Sequence, residues 1–171
     1  LAVGEPPTAK GYPPSVFSLL PNLIERTGTG KMDEGSITAI YTLLAEGDDL
    51  NDPIVDLARA SLDGQVILSR DLADAAHYPA IDLAGSISRL MPILVENEKL
   101  FSANRFRRLW TLYQQNQDLI QVGAYSVGSN KDIDGAIELR DLMEGFLRQS
   151  MDEPSDQEES FSQLMDCLGG E

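Results

Sequence analysis

The sequence predicts an α/β protein that is rich in helix, in which a part built of strands and helices precedes an all-helical part. Up to about residue 92, short runs of β-branched and apolar residues alternate with helical patterns. After residue 92 no strand-like run appears, and apolar residues recur at steps of three and four instead. We therefore expect a domain boundary near residue 92.

The first expected elements are a loop and a helix. Residues 4–14 contain four prolines and two glycines, a density that forbids regular structure. A helix is predicted from Ser15 to Arg26, because the segment Thr27 to Gly30 ends the helical pattern. One face should be buried, since apolar residues recur at helical spacing: Val16, Leu19, Leu20, Leu23 and Ile24.

A strand, a helix and a second strand should follow. The run from Ser36 to Ala45, SITAIYTLLA, is too apolar on both faces for a half-exposed strand and fits a central parallel strand covered by helices. Asp52 and Pro53 supply an N-cap and a first-turn proline for a helix through Leu62. With a short strand from Gln65 to Ser69, this order implies a right-handed parallel crossover.

Three helices are expected in the remaining sequence. The first runs from about Glu98 to Gln121 and the second from about Lys131 to Gln149. From Met151 onward the chain is acidic and has neither Lys nor Arg, which is typical of a solvated tail or of an interaction arm. Ser155 and Glu158 have capping-box spacing, so this tail should contain a short amphipathic helix. The apolar stripe of the first helix consists of Phe106, Leu109, Trp110 and Tyr113.

Composition excludes several classes of protein. The net charge of −15 argues against broad contact with nucleic-acid phosphates. His77 and Cys167 are the sole residues of their types, so neither a zinc cluster nor an intrachain disulfide is expected. No apolar run has the length of a membrane span or signal peptide, which predicts a cytoplasmic protein. No Ser-His-Asp arrangement is recognisable.

One glycine-rich segment resembles a phosphate loop. Gly28 to Lys31 reads Gly-Thr-Gly-Lys, but the full pattern requires a glycine where Glu25 stands and a Ser or Thr where Met32 stands. Without the hydroxyl there is no magnesium ligand, and without the first glycine the backbone cannot wrap a phosphate. The segment is therefore interpreted as a glycine turn.

The acidic segment from Glu46 to Pro53 resembles a calcium-binding loop, but it too departs from the full pattern. Leu50 occupies the position where an EF-hand needs an oxygen ligand, and Pro53 replaces its glycine. A loop that caps the following helix explains the segment better. Its acidic residues are Glu46, Asp48, Asp49 and Asp52.

Arg105, Arg107 and Arg108 adjoin Phe106 and Trp110, a combination that single-strand binders use for base stacking and phosphate contacts. On a helix, however, the two aromatic residues share one face while Arg107 and Arg108 point elsewhere. This spacing favours a core stripe beside solvated charges. A protein partner for the arginines is an open alternative.

By themselves, the residues from His77 to Arg89 predict little chemistry. A lone histidine and tyrosine before Pro79 are typical of a structural turn whose ring fills a gap in the core. Arg89 follows Ser86 and Ser88 and would be one surface arginine among many.

Three segments together resemble the type III protein export ATPases: Gly4–Phe17, Gly35–Arg70 and His77–Pro92. These enzymes are similar to the subunits of rotary ATP synthases and assemble as ring-shaped hexamers. Weaker similarity continues to about Gln149. The segment EGDDLNDP, residues 46–53, favours the flagellar branch over the injectisome branch. The pattern departs at Gln65, where a histidine is common, and at Asp71, where a basic residue is common. Neither departure is expected to touch the chemistry.

The resemblance implies that the chain is a C-terminal fragment. Residues 1–92 would be the second half of a RecA-like P-loop ATPase domain without its phosphate loop. Residues 93–150 would be the helical C-terminal domain, and residues 151–171 an acidic tail with a short amphipathic helix. Several central strands would be missing, so an incomplete sheet is expected, with an exposed edge that another copy or chain covers.

The resemblance also implies the site residues. The family's Ser-x-Ser-Arg motif maps onto Ser86 to Arg89, which makes Arg89 the candidate arginine finger for ATP held by the neighbouring subunit. The Tyr-Pro-Ala-Ile-Asp motif implies that Tyr78 stacks against adenine, and Tyr125 is a second candidate aromatic. No metal ligands are expected in this chain.

As a whole, the resemblance implies an ATP hydrolase that couples ATP hydrolysis to type III export of flagellar proteins. ATP and Mg²⁺ would bind to the full-length protein, whereas the fragment alone would have no cofactor and no activity. The expected partners are five further copies in a hexamer, a stalk protein, a regulator, export-gate components, and export substrates or chaperones, but not nucleic acid. The protein would reach the cytoplasmic face of the inner membrane through its partners. An injectisome ATPase, or a non-catalytic helical module that binds a stalk protein or a chaperone, is the alternative.

Overall fold

The computed structural model describes residues 4, 6, 9–31, 34–45, 47, 49 and 51–169. The chain divides into two compact units, Leu1–Asp63 and Gly64–Glu171. In the first unit a short 3₁₀ helix, Ala9–Gly11, precedes α1 (Pro14–Glu25), β1 (Gly28–Thr29), β2 (Ser36–Ile37) and α2 (Pro53–Ser61). The second unit contains β3 (Gly64–Leu68), α3 (Arg70–Asp74), β4 (Ile81–Ser88), α4 (Met91–Leu94), α5 (Asn97–Gln121), α6 (Lys131–Glu138), α7 (Arg140–Leu147) and α8 (Gln157–Cys167).

Helix α1 forms where the sequence predicts it. Pro13 is its N-cap and Pro14 its first residue, a position that tolerates proline because the first N–H groups of a helix have no partner within the helix. The predicted burial of one face is wrong for the described chain. Helix α1 has no buried residue, and Leu19 and Leu23 are 64% and 47% exposed.

The predicted central strand from Ser36 to Ala45 is reduced to two paired residues. Ser36 and Ile37 form an antiparallel ladder with Gly28 and Thr29, and residues 38–45 belong to no strand. A strand is stable only when neighbouring strands satisfy its backbone groups. The described residues of this unit provide one such neighbour, two residues long. The prediction of a central parallel strand is therefore wrong here.

Helix α2 begins at the predicted cap. The Oδ1 atom of Asp52 accepts hydrogen bonds from the backbone N–H groups of Ile54, at 2.8 Å, and Val55. Val55 and Ala58 are the buried residues of this helix. The interpretation of this acidic segment as a helix cap is thus confirmed at Asp52, whereas Glu46, Asp48 and Leu50 lie outside the described residues.

Strands β3 and β4 pair antiparallel. Strand β3 matches the predicted strand from Gln65 to Ser69, but β4 was not expected as a strand. Both ladders of the described residues are antiparallel, so the predicted parallel crossover is wrong. The short loop and helix between β3 and β4 lead the chain back along its neighbour, which is the simplest connection for an antiparallel pair.

Helix α5 and its stripe confirm the sequence pattern. Phe106, Trp110 and Tyr113 are its buried residues. The helix expected from Lys131 to Gln149 is instead two helices that meet at Leu139, whose φ of −88° and ψ of −1° end the regular helix. On either side of this residue, Ala136 and Met143 are fully buried.

Helix α8 confirms the expected amphipathic helix but not its cap. Asp156, rather than Ser155, accepts the capping hydrogen bond, from the N–H of Glu159 at 2.8 Å. Leu164, Cys167 and Leu168 are buried, so this part of the acidic tail is packed rather than solvated. They complete one core with residues of α5 and α7: Phe106, Trp110 and Met143.

Among the described residues no helix combines the length and apolar character that crossing a membrane requires. The proposed boundary near residue 92 stays a prediction from sequence pattern. The contacts of the structure group the β3–β4 pair with the helices that follow it.

Candidate functional site

The centre of β4 departs from regular pairing. Gln65 pairs with Ile87 and Ile67 pairs with Asp82, so Val66 alone lies opposite the four residues 83–86. We call residues 83–86 the β4 bulge. Bulges of this kind bend a strand and redirect the side chains that follow it. Here the last residue of the bulge, Ser86, begins the segment that leads to Arg89.

The two serines of this segment hold the backbone. The Ser86 hydroxyl donates to the carbonyl of Asp82 at 2.6 Å and accepts from the N–H of Ile67 at 2.9 Å. The Ser88 hydroxyl accepts from the N–H of Met91 at 3.1 Å, at the start of α4. Arg89 lies in the turn between β4 and α4 and is exposed. An exposed arginine on a fixed turn is suited to reach an anion on another molecule.

Side chains from two further elements fasten the β4 bulge. Arg107 of α5 donates through Nη2 to the carbonyls of Ala84, at 2.9 Å, and Ser86. Gln65 donates through Nε2 to the carbonyl of Gly85 at 3.2 Å. Sequence reasoning missed both roles. The one signal available was the departure from the family pattern at Gln65, which gave no indication of its partner.

The turn that carries Tyr78 is fixed on its backbone side. Its carbonyl accepts from the N–H of Gln149 at 3.0 Å, and its hydroxyl donates to the carbonyl of Ala73 at 3.3 Å. The ring is 57% exposed, so the interpretation of Tyr78 as a gap-filling core residue is wrong. An exposed ring on a fixed turn is suited to stacking on a flat ligand.

His77, next to this tyrosine, is buried and 5% exposed. Its backbone N–H donates to the carbonyl of Leu72 at 2.8 Å. Burial lowers the pKa of His77 from its ordinary value of 6.5, and the positive charge of Arg148 lowers this pKa further, while Glu144 raises it. The structural interpretation of His77 therefore holds, because the residue is buried and its backbone N–H closes the turn.

Tyr125 lies in the loop between α5 and α6 and is half-buried. Its hydroxyl is within hydrogen-bond distance of the Asn130 carbonyl, at 3.1 Å, and of Asp134 Oδ1, at 2.9 Å. The same carboxylate accepts from the N–H of Gly128. Tyr125 is thus held by its own loop. No hydrogen bond or ring contact joins it to Tyr78, both being described residues.

Tyr78 and Arg89 lie beyond opposite ends of β4. The ends of β4, Ile81 and Ser88, pair with Leu68 and Gly64, which lie four residues apart on β3. At about 3.3 Å per residue, the two ends of β4 are therefore about 13 Å apart along the sheet. Tyr78 and Arg89 thus lie at separate places on this unit.

The remaining candidate loops have structural roles. Gly28 to Lys31 is one side of the β1–β2 hairpin, closed by the N–H of Gly30 donating to the carbonyl of Gly35 at 2.8 Å, which confirms the glycine turn. Met32, on which the comparison with a phosphate loop also rests, lies outside the described residues. Within the described part of the chain, no group of three or more His, Cys, Asp or Glu residues could hold a metal.

The arginines of α5 confirm the structural alternative. Phe106 and Trp110 are 3% and 7% exposed, which leaves neither ring accessible for base stacking. Arg108 pairs with Asp132, and Arg107 binds the β4 bulge.

Comparisons with known proteins cover almost the whole chain. The profile of the ATP synthase alpha/beta family, nucleotide-binding domain, matches residues 1–88, and that of the type III secretion EscN ATPase C-terminal domain matches residues 95–166. The chain is 55% identical to the flagellum-specific ATP synthase of Pseudomonas aeruginosa over 170 residues, 99% of this chain and 38% of the relative. It is 48% identical to the SPI-2 type 3 secretion system ATPase of Salmonella typhimurium, over 90% of this chain and 35% of the relative.

Two solved structures have the same fold. The assembled ATPase EscN from enteropathogenic Escherichia coli superposes with a TM-score of 0.93 at 43% identity, over 98% of this chain and 40% of that one. EscN in complex with its central stalk EscO superposes with a TM-score of 0.87 at 41% identity, over 99% of this chain and 40% of that one. The predicted helix-rich α/β class is therefore confirmed. The chain spans about two fifths of the length of these relatives.

Proposed function

Because this chain belongs to the ATP synthase alpha/beta family and continues into a type III secretion ATPase C-terminal domain, we propose that it is the C-terminal part of an ATPase that drives type III export of flagellar proteins. The observation that carries this proposal is the match to a flagellum-specific ATP synthase at 55% identity over 99% of the chain. Within one organism, Salmonella typhimurium, the chain is 52% identical to the flagellum-specific ATP synthase and 48% identical to the SPI-2 secretion ATPase. This comparison supports the flagellar branch over the injectisome branch.

In this proposal Arg89 is an arginine finger that acts on ATP bound by the neighbouring subunit. Its guanidinium would neutralise charge that spreads over the phosphoryl oxygens in the transition state. Its exposure, and the hydrogen bonds of Ser86 and Ser88, which precede it and fix the backbone, support the role. Tyr78 would stack on the adenine of a nucleotide bound by its own subunit, and Tyr125 would be a second aromatic wall.

The phosphates of ATP and the Mg²⁺ ion would bind to parts of the intact protein other than this chain. The Gly28–Lys31 hairpin does not provide a phosphate loop. By itself the chain would therefore not hydrolyse ATP. EscN is known as an assembled ATPase and in complex with a central stalk. Here we expect an assembly too, a hexamer with a stalk partner, at the cytoplasmic face of the inner membrane. A regulator, export-gate components, and export substrates or chaperones would be its other partners.

Replacement of Arg89 by Ala in the intact protein tests the proposal. ATP turnover should fall by about 10³-fold or more while nucleotide binding stays nearly unchanged, because the finger contacts the transition state of a neighbour's nucleotide. Arg108→Ala is the matched control, since Arg108 is an exposed arginine that pairs with Asp132. Arg89→Lys should recover little activity, because an ammonium lacks the planar fork.

The action in trans has its own test. Subunits with Arg89→Ala keep an intact phosphate loop, and subunits with an inactivated phosphate loop keep Arg89. Mixed rings of the two should regain ATP turnover at interfaces where both parts are intact. Normal turnover of Arg89→Ala alone, or no recovery in mixed rings that have formed, would contradict the assignment.

A second candidate function is a helical module that binds a stalk protein without chemistry of its own. The comparison that favours it is the EscN–EscO complex, whose EscN chain matches 99% of this chain. Truncation after Gln149 is not a clean test, because Leu164 and Leu168 of the removed segment are buried in the core. Calorimetric titration of the isolated chain with the flagellar stalk protein is cleaner. Binding without ATPase activity supports the module, and absence of binding opposes it.

A further inference from the structure

The β4 bulge has an unusual set of hydrogen bonds. Where regular pairing stops, its backbone groups bind side chains instead of the neighbouring strand. The carboxylate of Asp82 accepts from the N–H of Gly85 at 3.1 Å, and Gln65 donates to the carbonyl of that glycine. Arg107 donates to the carbonyls on both sides of it, those of Ala84 and Ser86. The shape of the bulge is therefore specified by side chains.

Space around the bulge is equally restricted. A Cβ atom on Gly85 would approach Asp82 Oδ2 to 2.6 Å and Ile67 Cδ1 to 3.1 Å. A side chain at this position would therefore displace the carboxylate of Asp82, whose other oxygen binds the N–H of Gly85. The bulge therefore packs closely on its neighbours, and a change in its backbone shape would be transmitted to the residues that follow.

Arg107 differs from the other residues that hold the bulge because it belongs to α5. The residue before it, Phe106, is 3% exposed and lies in the core formed by α5, α7 and α8. The backbone of α5 at this point is thus fixed by the core. Because the guanidinium of Arg107 binds the carbonyl of Ser86, it fixes this carbonyl relative to α5. Ser86 lies three residues before Arg89.

We propose that Arg107 is a positioning residue for the arginine finger. It fastens the β4 bulge to the helical core, and the bulge sets the direction in which Ile87 and Ser88, the last paired residues of β4, lead to Arg89. Two N–H bonds from one guanidinium to the carbonyls of residues 84 and 86 restrain both the position and the tilt of this segment. The inference rests on the proposed role of Arg89.

Loss of this restraint should affect the chemical step and leave nucleotide binding intact. A catalytic group that is displaced by about 1 Å can cost up to about 100-fold in rate. The arginine finger contacts the γ-phosphate mainly in the transition state, so its displacement lowers kcat. KM for ATP should change little, because Arg107 binds the carbonyls of Ala84 and Ser86 and makes no hydrogen bond to Tyr78 or Tyr125, the proposed stacking residues.

The experiment uses the intact ATPase in its assembled ring. Arg107→Ala should lower kcat by about 10- to 100-fold with KM for ATP within about twofold of wild type. The kcat of Arg107→Lys should lie between those of Arg107→Ala and wild type, because the lysine ammonium can donate to a carbonyl but its side chain is shorter. Arg108→Ala, one residue further along α5, should keep the kcat of wild type. If Arg107→Ala fails to fold, Gln65→Ala removes a different contact of the bulge without changing α5, and it should lower kcat by a smaller factor.

A double-variant cycle separates this inference from the proposed function. If Arg107 acts through Arg89, then Arg107→Ala adds no further loss in a protein that already carries Arg89→Ala. An equal loss in both backgrounds would overturn the positioning role, as would an unchanged kcat in the single variant. Unchanged turnover of Arg89→Ala by itself would instead overturn the arginine finger and, with it, the premise of this inference.

Discussion

The two compact units of the chain differ in how far their apolar residues are buried. In Gly64–Glu171, side chains from α5, α7 and α8 form one buried cluster. In Leu1–Asp63, the buried apolar residues that the structure describes are Val55 and Ala58. Ile40 and Leu44 of the first unit are 93% and 96% exposed, although their segment has the most strand-like pattern of the sequence.

The difference shows that an apolar run indicates a segment that should be buried but does not indicate which other segment buries it. In the described part of the chain, the run from Ser36 to Ala45 pairs with Gly28 and Thr29 and with no other strand, so its ladder stops after two residues. Strand β4 contains the weak strand formers Ala84, Gly85 and Ser86 in its bulge, yet it pairs with β3 on both sides of them. Under the proposed function, strands from the rest of the intact ATPase would cover the exposed run.

The largest effect on stability is expected when an apolar side chain is truncated, and this truncation can be made in each unit. Met143→Ala should lower the free energy of unfolding by about 2–5 kcal/mol, because Met143 is fully buried and its loss leaves a cavity. Leu44→Ala should change it by no more than about 0.5 kcal/mol. Urea unfolding of the isolated chain, followed by far-ultraviolet circular dichroism and by Trp110 fluorescence, measures both. Equal losses would show that the first unit packs its apolar run after all.

A second test asks whether β4 is held by close packing. Gly85→Ala should lower the free energy of unfolding by about 1–3 kcal/mol, because the new methyl group meets Asp82 and Ile67 within contact distance. Gly145→Ala on α7 is the matched control, since it meets nothing within 4 Å. There alanine should stabilise by about 0.5 kcal/mol through its helix propensity. A stabilising Gly85→Ala would mean that the β4 bulge is loose.

The sequence predicts the helices well and the strand pairing poorly, for a physical reason. The period of an amphipathic helix is local, so the buried stripe of α5 could be identified from spacing alone. The bonds that shape β4 join residues far apart in the chain, since Arg107 lies 21 and 23 residues from its two acceptors. Spacing contains no information about such contacts.

The candidate site depended even more on information beyond residue patterns. Patterns alone described Tyr78 as a turn residue and Arg89 as a surface arginine, and only family resemblance gave them roles. The structure adds that Tyr78 is exposed and lies across β4 from Arg89. Their action on a nucleotide stays a prediction, because it depends on groups that lie outside this chain.

The third test concerns the cap of α8, by which the acidic tail joins the packed unit. Asp156→Ala should lower the free energy of unfolding by about 1 kcal/mol, because it removes the acceptor for the N–H of Glu159. Ser155→Ala should stay within about 0.5 kcal/mol, since Ser155 does not cap the helix. Chemical denaturation measures both variants. The reverse order would restore the capping box that the sequence suggests.

The smallest expected effect is a change of stability with pH. It depends on which buried polar residue titrates: each unit has one among its described residues, Asp52 and His77, each 5% exposed. Asp52 is satisfied by the first N–H groups of α2, whereas burial and Arg148 lower the pKa of His77 below 6.5. The unfolded chain therefore binds a proton at His77 more readily than the folded chain. Stability should fall as the pH drops through 6.5, and the loss should stop growing below the folded-state pKa.

Because the chain has a single histidine, this pH dependence can be assigned. Unfolding free energies measured from about pH 7.5 to about pH 5.5, above the range in which ordinary carboxyl groups titrate, should decrease in the wild-type chain and stay nearly flat in His77→Gln. Asp52→Asn should keep the slope, since its side chain oxygen still caps α2 and His77 is unchanged. A slope that persists without His77 would mean that another group titrates on folding, and that the turn of Tyr78 is not the pH-sensitive part of its unit.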